Sequence, residues 1–366
     1  MKQLSLMLKP ASSLCNMRCR YCFYSDVSSL REQASFGIMS PETRKSILEH
    51  TFSQLDAGDS VTIAFQGGEP TLAGLDWFEQ MTEEISCLAV PGLRISYALQ
   101  TNGLSLDKQW AAFLKKNRFL LGLSLDGPRE FHDICRPDVF GKGTFSRIAA
   151  AKKLLDRCEI PYNILMVLTN SLARHPQQIW NFLQKENIGY VQFIPCLGPL
   201  DAEMSKYALT PRRYADFYTQ LFEYWFPEAL NGHFRSIKLF DDLLNLLARG
   251  DETACGITGK CYGQLIVEAD GSVYPCDFYA LDTWCLGNLK ASTIRQVYEA
   301  PQMSAFCSRP RELPALCCSC PYFHICGGGC PRMRSEVFCS PKDGFCGHRA
   351  FLDAAFARLE HLARLL

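Results

Sequence analysis

The sequence predicts an α/β protein with a parallel sheet, followed by a smaller cysteine-rich region. Six strand-like apolar segments alternate with helix-like segments through about the first 200 residues. Such alternation is typical of a parallel sheet with right-handed crossovers, either open or curled into a barrel. The chain has 19 cysteines, of which twelve lie between residues 251 and 346. We therefore predict a β/α domain at 1–210, a helical connection at 211–250 and a cysteine-rich domain with a C-terminal helix at 251–366.

Each element has its own local signal. Ser40-Pro41 places an N-cap before a proline at the first helical position, which predicts a helix to about Leu55. Asp270-Gly271 predicts the turn of a β-hairpin within "QLIVEADGSVYPCDFYA". The predicted strands lie at 4–10, 60–68, 93–103, 118–128, 162–170 and 190–197. The predicted helices lie at 41–55, 74–85, 105–116, 144–158, 175–187, 211–226 and 237–250.

The bulk composition excludes several classes of protein. Acidic and basic residues balance at 38 each among 366 residues, so no net charge favours nucleic acid or an anionic membrane. No apolar run approaches the roughly 20 residues that a membrane-spanning helix needs. The N-terminus lacks the pattern of a signal peptide. We expect a cytoplasmic protein with reduced cysteines, whose short spacing indicates metal binding rather than disulfides.

The unusual short motifs all lie at the C-terminal ends of predicted strands. They are "CNMRCRYC", "QGGEP", "QTNG", "SLDG" and "PCLGP". In parallel β/α proteins the carboxyl ends of the strands form the active site. We therefore expect these five segments to lie at one edge of the sheet.

The first motif offers three thiols, Cys15, Cys19 and Cys22, with no fourth cysteine nearby. A structural zinc site uses four ligands, and so does a [4Fe–4S] cluster that only transfers electrons. Three cysteines would leave one iron without a protein ligand and able to bind a substrate. The alternatives are three reduced cysteines or part of a zinc site.

The spacing C-x3-C-x2-C with Tyr21 before the last cysteine resembles the signature of the radical S-adenosylmethionine (SAM) superfamily. "QGGEP" is similar to that superfamily's GGEP motif, whose backbone meets the SAM amino group. The resemblance implies a partial (β/α)6 barrel and a cluster whose open iron binds SAM. It also implies that reductive cleavage of SAM gives a 5′-deoxyadenosyl radical. The positions that match the SAM contacts of similar enzymes are Tyr21, Gly68, Ser124, Arg136 and Leu197.

The C-terminal cysteines resemble a SPASM domain, a small α+β module that binds auxiliary clusters. This resemblance implies two further [4Fe–4S] clusters, three in all. The implied ligands of the first are Cys255, Cys261, Cys276 and Cys330, and those of the second are Cys317, Cys320, Cys326 and Cys346. Cys318 and Cys339 are alternatives to neighbouring ligands, and zinc is an alternative for the whole region because thiolates suit both metals.

Over nearly its whole length the chain resembles the anaerobic sulfatase-maturating enzymes. "KPASSLCNMRCRYCFY", "AFQGGEPTLAG", "LQTNG", "GLSLDGP" and "DGSVYPCDFY" are the stretches that carry the likeness. It implies oxidation of a sulfatase cysteine or serine to Cα-formylglycine, with Asp277 as the general base and the auxiliary clusters as electron acceptors. A sulfatase polypeptide is then the substrate, and a flavodoxin or ferredoxin is the electron donor. Gln66, Gln100 and Asn102 are candidate donors to the substrate backbone.

Two other functions stay open at this point. Enzymes with the same modules form thioether cross-links in peptides or epimerise them. The signature begins by residue 15, without an extension that resembles a leader-peptide recognition domain. This disfavours cross-linking or epimerisation of a ribosomal peptide. A non-enzymatic iron–sulfur electron carrier is the other alternative, but it has no use for "QGGEP" or for an open iron.

Overall fold

The computed structural model describes residues 2–310 and 312–365, apart from the side chain of Pro341. The strands are β1 (Gln3–Leu8), β2 (Ser60–Phe65), β3 (Arg94–Thr101), β4 (Leu120–Ser124), β5 (Tyr162–Leu168), β6 (Tyr190–Pro195), β7 (Ser236–Ile237), β8 (Leu265–Val267), β9 (Ser272–Tyr274), β10 (Gly287–Asn288), β11 (Cys339–Ser340) and β12 (Phe345–Cys346). The helices are α1 (Phe23–Ser29), α2 (Pro41–Phe52), α3 (Leu75–Leu88), α4 (Lys108–Lys116), α5 (Arg129–Cys135), α6 (Phe145–Cys158), α7 (Pro176–Lys185), α8 (Pro211–Leu230), α9 (Lys238–Arg249), α10 (Ile294–Tyr298), α11 (Pro301–Cys307), α12 (Ala315–Cys318), α13 (Phe323–Cys326), α14 (Pro331–Met333) and α15 (Gly347–Ala363).

The chain folds into two compact units that do not follow chain order. The first contains the residues up to Ser124, Asp133–Tyr162 and Gly263–Arg309. The second contains Leu125–His132, Asn163–Tyr262 and the residues from Pro310 onward. The boundaries that we placed near 210 and 250 stay predictions.

The first unit is built on β1–β4, which pair in parallel in chain order. β8 also pairs in parallel with β1, and β9 and β10 continue the sheet in antiparallel directions. Leu8 aligns with Phe65, and Phe65 aligns with Leu99. The carboxyl ends of β1, β2 and β3 therefore meet at one edge, as the motif positions predicted.

Aromatic side chains fill the core of the first unit. Phe65 of β2 lies 4.9 Å from Phe78 of α3 and 6.1 Å from Phe119, measured between ring centroids. Phe78 in turn meets Trp110 of α4 at 5.2 Å, edge to face. Such pairs add about 0.5–1.5 kcal/mol each beyond the burial of their area. These contacts pack α3 against β2 and α4 against α3.

The strands of the second unit, β5–β7, pair in parallel and belong to the same ten-stranded sheet as β1–β4. β5 pairs with β6, where Leu168 aligns with Pro195, and β6 pairs with β7. Phe193 of β6 lies 5.0 Å from Phe217 of α8. The long helices α8, α9 and α15 supply most of the remaining core, where Phe240 stacks on Phe351 at 5.8 Å.

The structure shortens several predicted elements. α2 begins at Pro41 with Ser40 as its N-cap, as predicted, but it ends at Phe52 because the next residues form tighter turns. β2 ends at Phe65 rather than 68, since Gly68 donates its N–H to Ser12 in a loop. α1 and α5 were not predicted. The hairpin is confirmed: β8 and β9 are antiparallel, and Gly271 N–H bonds Glu268 C=O at 2.9 Å.

Among the described residues, no helix combines the length and the apolarity that crossing a membrane requires.

Candidate active site

The loop after β1 presents the three cysteines of the first motif. Cys15 and Cys19 are half-buried and Cys22 is exposed. Cys15 Sγ accepts the N–H of Met17 at 3.4 Å, and Cys22 Sγ caps α1 by accepting the N–H of Ser25 at 3.4 Å. Burial raises the pKa of the Cys15 thiol, and the Met17 N–H opposes that rise. Sulfurs that already accept amide hydrogen bonds fit the thiolate ligands of an iron–sulfur cluster.

Gly68 fixes the distance between "QGGEP" and the cysteine loop. Its N–H donates to Ser12 C=O at 2.8 Å, and the next N–H, of Glu69, donates to Leu14 C=O at 2.8 Å. A Cβ at position 68 would lie 2.1 Å from the Leu14 carbonyl oxygen. Only glycine therefore allows the two segments to lie this close.

Glu69 is a buried carboxylate that links the β2 loop to the end of β3. It accepts the hydroxyl of Thr101 at 2.8 Å, the N–H of Asn102 at 2.7 Å and both donors of Thr71. Burial raises the pKa of Glu69, and these hydrogen bonds oppose the rise. Because the carboxylate has several donors, the cost of burying it is largely offset.

Asn102 lies beside the cysteine loop. Its side-chain amide donates to Asn16 Oδ1 at 2.7 Å and approaches Cys15 Sγ at 3.9 Å. In the structure this side chain therefore supports the loop of the first motif. Its predicted contact with a substrate backbone stays a prediction, as does that of Gln100.

The predicted SAM contacts occupy several strand ends. Arg136 is buried and donates to the Tyr21 hydroxyl at 3.0 Å, so the structure brings these two together. Ser124 is buried at the end of β4 in the same unit. Leu197 belongs to the second unit, in the segment after β6.

The segment after β6 is fixed by two residues that the sequence did not reveal. Gly198 donates its N–H to the Glu336 carboxylate at 2.8 Å, and its carbonyl accepts from Arg332. Arg332 and Glu336 also pair with each other, one helical turn apart. Both follow Cys330 closely in the chain. No spacing pattern marks them, since each resembles an ordinary surface residue.

Asp277 lies three residues after the end of β9, in a short 3₁₀ turn, and is 8% exposed. One carboxylate oxygen pairs with Lys9 Nζ at 2.6 Å, and the other accepts Gln66 Nε2 at 3.0 Å. Lys9 follows β1 and Gln66 follows β2. The predicted base therefore lies at the strand ends, as its proposed role requires.

Lys9 and Glu268 are functional candidates that sequence analysis missed. Glu268 is fully buried after β8 and accepts hydrogen bonds from Ser12, Tyr24 and Arg31. The only available signal was a charged residue directly after each apolar strand, "LSLMLK" and "LIVE".

Five thiols gather in the second unit where four were predicted. The charges of Cys320, Cys346 and Cys317 add to burial in raising the pKa of Cys326, so these four sulfurs are neighbours. Cys339 aligns with Cys346 across β11–β12. The Cys339 thiol donates to Cys346, and this lowers the pKa of Cys346 to about 6.

The other predicted cluster has three ligands in the second unit and one in the first. A Cβ at Gly256 would lie 2.9 Å from Cys330 Cβ, so Cys255 and Cys330 are close. Cys261 lies in the same unit, whereas Cys276 lies in the first. Among residues 2–310 and 312–365, no group of three or more His, Cys, Asp or Glu side chains is arranged to hold a single metal ion. The ligand sets stay predictions.

Comparison with known proteins identifies the family. The sequence matches the radical SAM superfamily over residues 10–176 and the SPASM iron–sulfur cluster-binding domain over residues 255–321. It is 40% identical over 368 residues to the cysteine-type anaerobic sulfatase-maturating enzyme of Clostridium perfringens, with 99% of each chain covered. The chain belongs to the anaerobic sulfatase-maturating enzymes. It is thus a radical SAM oxidoreductase, with SAM and [4Fe–4S] clusters as its cofactors.

Solved structures of the family confirm the fold. Native anSMEcpe with bound AdoMet and the Kp18Cys peptide superimposes with a TM-score of 0.91 at 38% identity, covering 100% of both chains. The predicted radical SAM barrel and SPASM domain are therefore correct. The enzyme is also similar to the serine-type anaerobic sulfatase-maturating enzyme of Bacteroides thetaiotaomicron, at 26% identity over 99% of this chain and 90% of that protein.

Proposed function

We propose that the enzyme oxidises an active-site cysteine of a sulfatase to Cα-formylglycine, with Asp277 as the general base. The observation that carries the proposal is the placement of Asp277, whose carboxylate is fixed by Lys9 and Gln66 at the strand ends. The choice of cysteine rests on similarity, which is 40% to a cysteine-type relative and 26% to a serine-type one.

The cysteines described above are the proposed ligands of the clusters, and five other residues are the proposed contacts of SAM. Cys15, Cys19 and Cys22 would ligate the cluster that binds SAM, and Tyr21, Gly68, Ser124, Arg136 and Leu197 would contact SAM. Cys255, Cys261, Cys276 and Cys330 would ligate one auxiliary cluster, and Cys317, Cys320, Cys326 and Cys346 the other. When bound, SAM and the clusters supply the radical that removes a hydrogen atom from the substrate Cβ and the acceptor for one further electron.

Asp277 would accept the proton that the oxidation releases. Losing a hydrogen atom and an electron leaves the substrate with one proton to release from its thiol. A carboxylate within hydrogen-bonding reach accepts that proton. The resulting thioaldehyde reacts with water to give the aldehyde and hydrogen sulfide. Asp277 is 8% exposed, so bulk water competes little for its oxygens.

An acidic flavodoxin or ferredoxin is the proposed electron donor. Arg18 and Arg20 are exposed on either side of Cys19 in the cysteine loop. Their backbone N–H groups bond the carbonyls of Pro137 and Cys135 at 2.9 Å, so the loop is held firmly. Exposed basic side chains beside a cluster ligand suit an acidic carrier, because complementary charge accelerates encounter.

The test replaces the base while keeping its size. In Asp277→Asn, 5′-deoxyadenosine should still form, and deuterium from a Cβ-labelled sulfatase peptide should still appear in it. Formylglycine should fall by about 10²–10⁴-fold, the usual cost of a lost general base. Mass spectrometry of the peptide and the nucleoside measures both products in one anaerobic reaction.

Two controls make the test decisive. Iron content must be unchanged, because Asp277 adjoins the proposed ligand Cys276. Asp282→Asn is the matched control, since Asp282 is an exposed aspartate in the same segment whose carboxylate accepts the Glu32 N–H at 2.8 Å. An Asp277→Asn enzyme with full iron and a normal rate of formylglycine formation would show that Asp277 is not the base.

A further inference from the structure

Lys9 is a fully buried lysine, with 0% of its side chain exposed. Burying an ammonium group is costly unless it is paired, and most lysines lie at the surface. The buried side chains of β1 itself, Leu6 and Leu8, are apolar. A buried charge at the end of β1 therefore calls for a role that an apolar residue does not serve.

The position of Lys9 is determined along its whole length. Its backbone N–H donates to Val267 C=O at 2.8 Å. Its stem lies against Gly67, where a Cβ would come within 3.2 Å of Lys9 Cβ and Cγ. Its ammonium lies 3.6 Å from the centroid of the Tyr24 ring, within range of a cation–π contact. The flexible side chain of a lysine is here confined to one direction.

Glu268 forms a second ionic contact with the Lys9 ammonium. Glu268 Oε1 lies 3.9 Å from Lys9 Nζ and 2.6 Å from Arg31 Nη1, while Ser12 donates to Oε2 at 3.0 Å. Burial alone would raise the pKa of Glu268, but the charges of Lys9 and Arg31 and the Tyr24 hydroxyl outweigh it and lower the pKa. Glu268 is thus a fixed anion with its own set of donors.

Asp277 has fewer partners than Glu268. Lys9 Nζ reaches Asp277 Oδ1 at 2.6 Å, and Gln66 donates to Oδ2 at 3.0 Å. Within the described residues, neither Lys9 Nζ nor Asp277 Oδ1 has a hydrogen bond of good angular geometry, so their contact is ionic. A carboxylate accepts about four hydrogen bonds. Asp277 therefore retains acceptor capacity for a substrate proton.

We propose that Lys9 is a positioning residue for the oxidation, and that it fixes the Asp277 carboxylate in the orientation that accepts the substrate proton. Glu268 serves as the anchor that fixes Lys9. The proposal rests on the role of Asp277 proposed above. It assigns no contact between Lys9 and the substrate, since the ammonium acts through the carboxylate.

The charges explain why a lysine suits this position. Lys9 and Arg31 carry two positive charges, and Glu268 and Asp277 carry two negative charges, so the group is neutral before the reaction. Removing Lys9 alone would leave two buried carboxylates facing one cation. Removing Lys9 together with the charge of Glu268 restores neutrality and leaves Asp277 with Gln66 alone.

The test compares Lys9→Met, Lys9→Arg and the double variant Lys9→Met/Glu268→Gln. Lys2→Met is the matched control, because Lys2 is an exposed lysine just before β1 that pairs with Asp56 at 3.2 Å. Each enzyme is reconstituted anaerobically, checked for iron content, and given SAM and a Cβ-deuterated sulfatase peptide. The measured quantity is formylglycine formed per 5′-deoxyadenosine.

Misplacing a reacting group by about 1 Å costs on the order of 10²-fold in rate. We expect a fall of that size in formylglycine per 5′-deoxyadenosine for Lys9→Met and for the double variant, with labelled 5′-deoxyadenosine still formed. Lys9→Arg should recover part of the loss because it keeps the charge. The double variant keeps the test valid if Lys9→Met fails to fold. A normal ratio in folded Lys9→Met, or in the folded double variant, overturns the proposal.

Combination with Asp277→Asn separates this proposal from the proposed base. If Lys9 acts through Asp277, adding Lys9→Met to Asp277→Asn lowers the ratio no further, since residues that act as a unit are not additive. A further loss in the combined variant would overturn the positioning role while leaving the base intact. A normal ratio in Asp277→Asn alone would instead remove the base, and the role of Lys9 with it.

Discussion

Two cysteine-bearing regions of the molecule differ in how many thiols they offer. The loop of residues 9–22 contains three cysteines, and amide N–H groups donate to two of their sulfurs. The region of residues 317–346 contains seven cysteines, of which five lie close together, with Cys339 hydrogen-bonded to Cys346. A cluster that binds SAM needs an iron without a protein ligand, whereas an electron-transfer cluster needs a full set. On the proposed assignment, the first region would hold the cluster that binds SAM and the second an electron-transfer cluster.

Removing the first region's thiols should have the largest effect. Replacing Cys15, Cys19 and Cys22 by alanine removes every proposed protein ligand of that cluster. We expect a loss of about four irons and four sulfides per chain and no detectable cleavage of SAM, because one [4Fe–4S] cluster is absent. Iron and sulfide assays with chromatography of 5′-deoxyadenosine measure this. Cys87→Ala, an exposed cysteine in α3, is the control. Full iron content in the triple variant would refute the assignment.

Replacing one glycine in or beside each region by alanine should impair a different property of the enzyme in each case. In Gly68→Ala the new Cβ would meet Leu14 C=O at 2.1 Å, and in Gly327→Ala it would meet Thr258 C=O at 2.1 Å. We expect Gly68→Ala to lower SAM cleavage by about 10²-fold through a displaced loop, with the auxiliary irons retained. Gly327→Ala should lose auxiliary iron instead, because it adjoins Cys326.

Gly189→Ala provides the control for both glycine variants, since a Cβ there meets nothing within 4 Å. Iron content and the rate of SAM cleavage, measured on the same preparations, give the comparison. If both variants lost the same property, the two regions would not be independent, and the contrast between them would fail.

The choice between Cys339 and Cys346 tests whether the second region has a spare thiol. Cys346→Ala should lower iron content by up to about four per chain, since a [4Fe–4S] cluster normally needs its fourth ligand. Cys339→Ala should retain full iron and activity. The two residues align across β11–β12, so each variant controls for the other. The opposite result would assign the ligand to Cys339.

Cys318 should show the smallest effect. It is exposed, whereas Cys317 is buried beside the other thiols of its region. Cys318→Ser should keep iron content and formylglycine formation within experimental error, and Cys317→Ser should not. Loss of iron from Cys318→Ser alone would show that Cys318, and not Cys317, is the cluster ligand.

The sequence predicted much of the fold because its signals are local. The alternation of apolar strands with helical segments, the N-cap at Ser40 and the turn at Asp270-Gly271 each depend on a few neighbouring residues. α1 escaped prediction because its N-cap is Cys22, whose sulfur replaces the usual Ser, Thr, Asp or Asn oxygen. α5 has only seven residues, too few for a helical period to emerge.

The site was predictable only in part, for a different reason. Asp277 adjoins a motif cysteine, so a resemblance indicated it. Lys9 and Glu268 meet only through folding, at a sequence separation of more than 250 residues, and neither forms part of a spaced motif. A single sequence contains no record of that proximity. Cys339 was predicted only as an alternative ligand, because its alignment with Cys346 depends on the pairing of β11 with β12.

Glu69 has a consequence for anyone who recombines enzymes of this family. Its carboxylate joins the β2 loop to Thr101 and Asn102 at the end of β3, while Asn102 reaches Asn16 in the cysteine loop. The β2 loop returns to the cysteine loop through Gly68 and Ser12. Each of the three segments is therefore hydrogen-bonded to the other two. A chimera that exchanges one of them alone will carry two mismatched junctions, so crossover points should be chosen to transplant all three together.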